Sequence, residues 1–161
     1  MKILNTGGTF NKRYNELNGE MEVPFDNAAL ETMMLNFIEP VNMAGVLYKD
    51  SLEFTLDDRK MLASIINADE EQVFIVIHGT DTMELTAEFL DTVFEDRIIV
   101  LTGAMKPFEI DCIEASVNFG MAVGFAKSCS ENGVYICMNG EVKPYKQLTK
   151  NRSIGKFEIV R

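Results

Sequence analysis

The sequence predicts an α/β fold, three-layered, with a mostly parallel sheet flanked by helices. Three observations carry this reading. Short β-branched apolar runs alternate with longer amphipathic segments, the pattern of parallel strands joined by crossover helices. Glycines and small polar residues gather at the ends of those runs, where an open parallel sheet presents its ligand-binding rim. The composition, 161 residues with 47% hydrophobic and 25% charged, fits a single domain over residues 1–161 with a sizeable core.

Each element has a local reason. A first strand is expected near Lys2 to Asn5, ending at Thr6-Gly7-Gly8-Thr9. A helix follows over Asn27 to Ile38 and is stopped by Pro40, because the residues before a proline leave the helical region. The run Ala44 to Tyr48 reads as the second strand. Leu56 to Ile66 reads as a helix opened by Thr55, with Asp58 placed as a capping-box acid. Val73 to His78 is the third strand, and Thr82 to Phe94 a helix after Asp81, with Glu84 at the matching capping offset. Arg97 to Thr102 is the fourth strand, Cys112 to Lys127 a long helix closed by the polar Ser128 to Gly133 stretch, and Gly133 to Met138 the fifth strand. The tail from Glu141 to Arg161 lacks a clear period and holds six of the fifteen basic residues; spacing alone favours a solvated loop or short hairpin over a segment that returns a lysine to the site.

Composition excludes several function classes. The net charge of −10, spread along the chain, argues against nucleic acid, whose phosphates require a basic footprint. The apolar runs are far shorter than a bilayer span, and Met1-Lys2-Ile3-Leu4 has no signal-peptide apolar region, so a cytoplasmic protein without membrane contact is expected. Cys112, Cys129 and Cys137 are odd in number and show no C-x-x-C spacing; they read as buried thiols in a reducing compartment, with neither disulfide nor metal.

The rim carries the chemistry. Thr6 and Thr9 follow the first strand, Asp50 and Ser51 the second, Thr80 and Asp81 the third, and Thr102 to Lys106 the fourth. Gly7 and Gly8 allow close backbone approach, but no phosphate-loop spacing is present. His78 is the only histidine and lies at the end of an apolar strand, where a core histidine bonded to backbone is expected over a general base. A nucleophilic threonine would then draw its activation from Lys, Tyr or an acid. For Asp81 both a helix cap and a place in the site stand open.

Thr6-Gly7-Gly8-Thr9, Asp50-Ser51, His78-Gly79-Thr80-Asp81-Thr82-Met83-Glu84 and Gly103-Ala104-Met105-Lys106-Pro107, in this order over nearly the whole chain, strongly resemble the bacterial-type L-asparaginases and glutaminase-asparaginases. The resemblance implies the flavodoxin-like or Rossmann-like N-terminal domain of that family. It also implies a cofactor-free threonine amidohydrolase that converts L-asparagine to L-aspartate and ammonia, acting as a homodimer or higher homo-oligomer. By position, Thr9 would be the nucleophile, while Thr80 with Lys150 would activate the second threonine or the attacking water. Asp81 would bind the substrate α-amino group and orient Lys150. Ser51, beside Asp50, would bind the α-carboxylate, and the backbone at Gly79 and Ala104 would contact substrate.

Two departures accompany the resemblance. The family's loop tyrosine has a counterpart only in Tyr14, closer to Thr9 than the family spacing. Family members also continue into a second, smaller α/β domain that completes a neighbouring subunit's site, whereas this chain stops soon after Lys150. An open rim admits water and weakens charged interactions within it, so low turnover is expected. An amino-acid-binding domain with little or no catalysis is the alternative.

Overall fold

A computed structural model of the chain describes residues 1–160. Strand β1 (Lys2–Gly7) leads into a small hairpin of β2 (Arg13–Asn15) and β3 (Glu20–Glu22), then helix α1 (Ala28–Met34) and strand β4 (Asn42–Lys49). Next come α2 (Leu56–Ala68), β5 (Val73–Ile77), α3 (Met83–Val93), β6 (Ile98–Thr102), α4 (Cys112–Ser128) and β7 (Gly133–Met138). The chain closes with β8 (Glu141–Pro144) and a hairpin of β9 (Leu148–Asn151) and β10 (Lys156–Ile159).

The main sheet has the order β4-β1-β5-β6-β7-β8, parallel throughout except for the antiparallel pairing of β8 with β7. Its central strands are apolar on both faces because both faces are covered. Within β5, Phe74 and Val76 join a core with Leu62, Ile66 and Leu90, while Ile75 and Ile77 join the opposite core with Phe119 and Ala122. From β1 the chain moves first to β4 and then, in the other direction, to β5. Strand order therefore reverses between β1 and β5, the position at which open parallel sheets form their ligand crevice. Thr9 follows one of these strands and Thr80 the other.

Several local expectations change. Helix α1 ends at Met34 instead of Ile38; tighter turns close Met33 to Phe37, and Ile38 is fully exposed, with no core to hold it in a helix. At α2 the expected capping box is present, Thr55 accepting from the Asp58 amide and Asp58 from the Thr55 amide. At α3 it is not: the N-cap is Thr82, without a side-chain cap, because Asp81 and Glu84 have partners in the C-terminal hairpin. The tail supplies an edge strand as well as a hairpin. Of the three thiols only Cys137 is buried, since Cys112 faces outward at the first turn of α4 and Cys129 lies at its end.

Candidate active site

The loops after β1, β4, β5 and β6 leave the same edge of the sheet and lock together through glycines. A Cβ built on Gly8 would lie 2.5 Å from the Gly79 Cα, and one on Gly79 would lie 2.5 Å from Ser51 Oγ. Only residues without side chains allow the Thr9 turn, the Thr80 loop and the Ser51 turn to meet this closely. On the far side Gly103 packs against the His78 carbonyl.

His78 organises this junction without entering it. It is fully buried, its Nδ1 2.8 Å from the Gly79 carbonyl and its Nε2 2.9 Å from Thr86 Oγ1. A carbonyl only accepts, so Nδ1 carries the proton and Nε2 accepts from Thr86, which in turn accepts from Arg59 Nε at 3.0 Å. Burial drives the His78 pKa down to about 4, against the opposing Gly79 hydrogen bond and with help from the Arg59 charge. His78 is thus a neutral core histidine, as the sequence suggests.

Lys150 reaches the rim from β9. Its Nζ lies 2.7 Å from Thr80 Oγ1 and 2.9 Å from Asp81 Oδ1, with the lysine side chain only 9% exposed. The strand that carries it is latched to α3 by Glu84, whose Oε1 accepts from Thr149 Oγ1 at 2.9 Å and from the Lys150 amide at 2.5 Å. In sequence Glu84 has the spacing of a capping acid; its role as a latch has no local signal, because its partners lie 65 and 66 residues away. Arg152, which sequence reasoning misses, donates to the Asp81 carbonyl at 2.9 Å.

Asp81 and Ser51 are tied to each other. Ser51 Oγ accepts from the Asp81 amide at 3.2 Å, and the Ser51 carbonyl accepts from Thr82 Oγ1 at 2.7 Å. Ser51 itself is buried, and its hydroxyl accepts in this pairing without donating to any of the described residues. Asp50 caps the Ser51 turn and pairs with Lys12 at 2.5 Å. Partial burial would raise its pKa, but Lys12, the Leu52 amide and the charges of Lys12 and Lys150 outweigh this and hold it below the usual carboxylate range.

The remaining residues divide. Thr9 opens a short 3-10 turn over Thr9–Asn11 and is half-buried. Ala104 is buried in a loop whose Met105 and Lys106 amides both donate to Glu114. Thr6 does not serve the rim: its hydroxyl donates to the Ile77 carbonyl at 2.7 Å and stitches β1 to β5. Thr102 is used the same way, toward Cys137. Tyr14 sits on the β2–β3 hairpin, 55% exposed, its hydroxyl next to Gly19 at the hairpin tip.

Residues 1–156 match the family described as Asparaginase, N-terminal. The chain belongs to this asparaginase family. It is 33% identical over 159 residues to the probable periplasmic L-asparaginase of Haemophilus influenzae, covering 92% of this chain and 45% of that protein. It is 28% identical over 148 residues to a glutamyl-tRNA(Gln) amidotransferase component of Methanococcus vannielii, covering 88% of this chain and 34% of that one. The fold matches the thermostable L-asparaginase from Thermococcus kodakarensis with a TM-score of 0.86 at 23% identity, over 99% of this chain and 51% of that chain. This member of the asparaginase family thus spans about half or less of the length of these relatives. Among its described residues no helix is long and apolar enough to cross a membrane.

Proposed function

We propose that the chain is an asparaginase-type amidohydrolase that cleaves the side-chain amide of L-asparagine, with L-glutamine as a second substrate, releasing ammonia. The observation that carries this reading is Lys150 Nζ, hydrogen-bonded at once to the Thr80 hydroxyl and the Asp81 carboxylate at the topological switch point. A single proton transfer links the lysine to the threonine. In the proposed reaction Thr9 Oγ attacks the amide carbon and gives up its proton, the C–N bond breaks, and the nitrogen takes up that proton to leave as ammonia. Water activated by Thr80 and Lys150 then hydrolyses the Thr9 ester. Asp81 Oδ2, free of protein partners among the described residues, takes the substrate ammonium, while the Ser51 hydroxyl and neighbouring amides take the α-carboxylate. Gly79 and Ala104 line the substrate with backbone, Asp50 supports Ser51, and Tyr14 is the candidate to assist Thr9 if its hairpin folds over the rim.

The test is ammonia release from L-asparagine compared with L-glutamine, with aspartate measured alongside because one relative bears the name of an amidotransferase. Turnover in the wild type that disappears in a folded Thr9→Ala protein supports the reading; a folded wild type that releases nothing ends it. The exposed position of Tyr14 favours a second reading, an amino-acid-binding domain with little turnover. Calorimetric binding of L-aspartate without ammonia release would select it.

The same proposal includes a homodimer or higher homo-oligomer. Asp81 keeps 31% of its side chain exposed, and a second copy over the rim would exclude the water that screens its pairing with Lys150. Light scattering that finds a monomer at all concentrations contradicts this. The outward-facing, unpaired Cys112 fits a cytoplasmic location.

A further inference from the structure

We propose that the buried Asn5–Asn11 carboxamide pair is a positioning device for the turn that presents Thr9. The proposal rests on the amidohydrolase reading for its catalytic consequence, but its structural content stands separately. Asn5, near the end of β1, is fully buried, and Asn11, two residues beyond Thr9, is 4% exposed. Their amides face each other. Asn11 Nδ2 donates to Asn5 Oδ1 at 2.9 Å and to the Gly7 carbonyl at 2.9 Å, and Asn5 Nδ2 donates back to Asn11 Oδ1 at 3.3 Å. The Gly7 amide donates to Asn5 Oδ1 at 3.0 Å. Both polar groups of Gly7 are therefore held by this pair.

The backbone explains why such a clamp matters. Gly7 and Gly8 sit at φ 99° and 76°, and two consecutive glycines leave the chain wide conformational freedom. Thr9 follows directly. Without external bonds the turn could adopt several shapes, each moving the Thr9 hydroxyl relative to Thr80 and Lys150. Burying carboxamides is costly unless they are satisfied, and an apolar pair would fill the same space without that burden. What the apolar pair could not do is bind the Gly7 amide and carbonyl. Neither asparagine contacts the residues assigned to substrate, so each is a positioning residue.

Asn5 also donates to Asn27 Oδ1 at 2.8 Å, at the start of α1. This supplies an internal control, because Asn27→Ala removes a bond to Asn5 while leaving every bond to Gly7 in place. Asn11→Ala is predicted to lower kcat about 10- to 100-fold, the penalty of a displacement near 1 Å at a reacting atom. Its Kd for L-aspartate should stay within about threefold, since Ser51 and Asp81 are untouched. Asn27→Ala should keep kcat within about threefold. Amide hydrogen exchange over residues 7–12 should rise about tenfold in Asn11→Ala and stay unchanged in Asn27→Ala. Asn11→Ser serves if Asn11→Ala does not fold. Equal losses of kcat in the Asn11 and Asn27 variants, or unchanged exchange over residues 7–12 on loss of Asn11, overturn the proposal. If the wild type releases no ammonia, the amidohydrolase reading fails by itself, and the exchange comparison still decides whether the pair holds the turn.

Discussion

Glu84 provides the sharpest energetic prediction, because one carboxylate oxygen holds the strand that delivers Lys150. In Glu84→Ala both bonds from β9 are lost, one from Thr149 Oγ1 at 2.9 Å and one from the Lys150 amide at 2.5 Å. Hydrogen bonds to a charged acceptor contribute about 1.5–3 kcal/mol each, and this site is only partly buried, so the lower figure applies and the loss is about 3 kcal/mol. For a chain of this size that corresponds to a fall in Tm of roughly 6–12 °C. Glu84→Gln keeps a neutral oxygen able to accept both donors and should lose about half as much. The decisive assay is a double-mutant cycle with Thr149→Val, followed by urea denaturation: a latch predicts coupling of about 1 kcal/mol, whereas a capping acid predicts none. Coupling below about 0.3 kcal/mol, with Glu84→Ala as stable as wild type, would refute the latch.

His78 gives a pH signature whose sign follows from its neutrality. Its pKa is about 4 in the fold against 6.5 for the free side chain, so below pH 6.5 the unfolded chain takes up a proton that the fold refuses. Its contribution is complete above pH 6.5 and is lost as pH falls toward 4, by about 3 kcal/mol at most. Denaturation at several pH values should show this acid limb in wild type and a flatter one in His78→Gln; identical slopes would contradict it. Gly8→Ala should destabilise by at least about 2 kcal/mol and abolish the proposed ammonia release. Its Cβ would lie 2.5 Å from the Gly79 Cα, at a φ of 76° that L residues disfavour. A variant with wild-type Tm and turnover would show that the two loops are not locked.

What can be read in advance follows the range of the interactions involved. The apolar run of β5 announces a strand covered on both faces, and the Thr55–Asp58 box announces the start of α2, because both signals are local. Asp81 and Glu84 carry the same local pattern, yet their carboxylates serve β9, some seventy residues later. No window of sequence distinguishes these cases, since the competing partner is set by topology. Thr6 and Thr9 illustrate the same point: both precede or enter the first turn, but strand register directs Thr6 into the Ile77 carbonyl. That the basic tail could return a lysine to the rim can be raised from sequence, but spacing favours a solvated loop, and only the resemblance singles out Lys150. The asparagine pair stays hidden because two buried amides look, in sequence, like ordinary turn residues.

Lys150 is the group that would make Thr80 chemically competent, and the proposed reaction stands or falls with it. The most direct test is the steady-state rate of ammonia release from L-asparagine by wild type and by Lys150→Met, each verified as folded by circular dichroism. The expected result is measurable release by wild type and a fall of about 10²- to 10⁴-fold in kcat on loss of the amine. A Lys150→Met protein that keeps its rate within about threefold of wild type would contradict it.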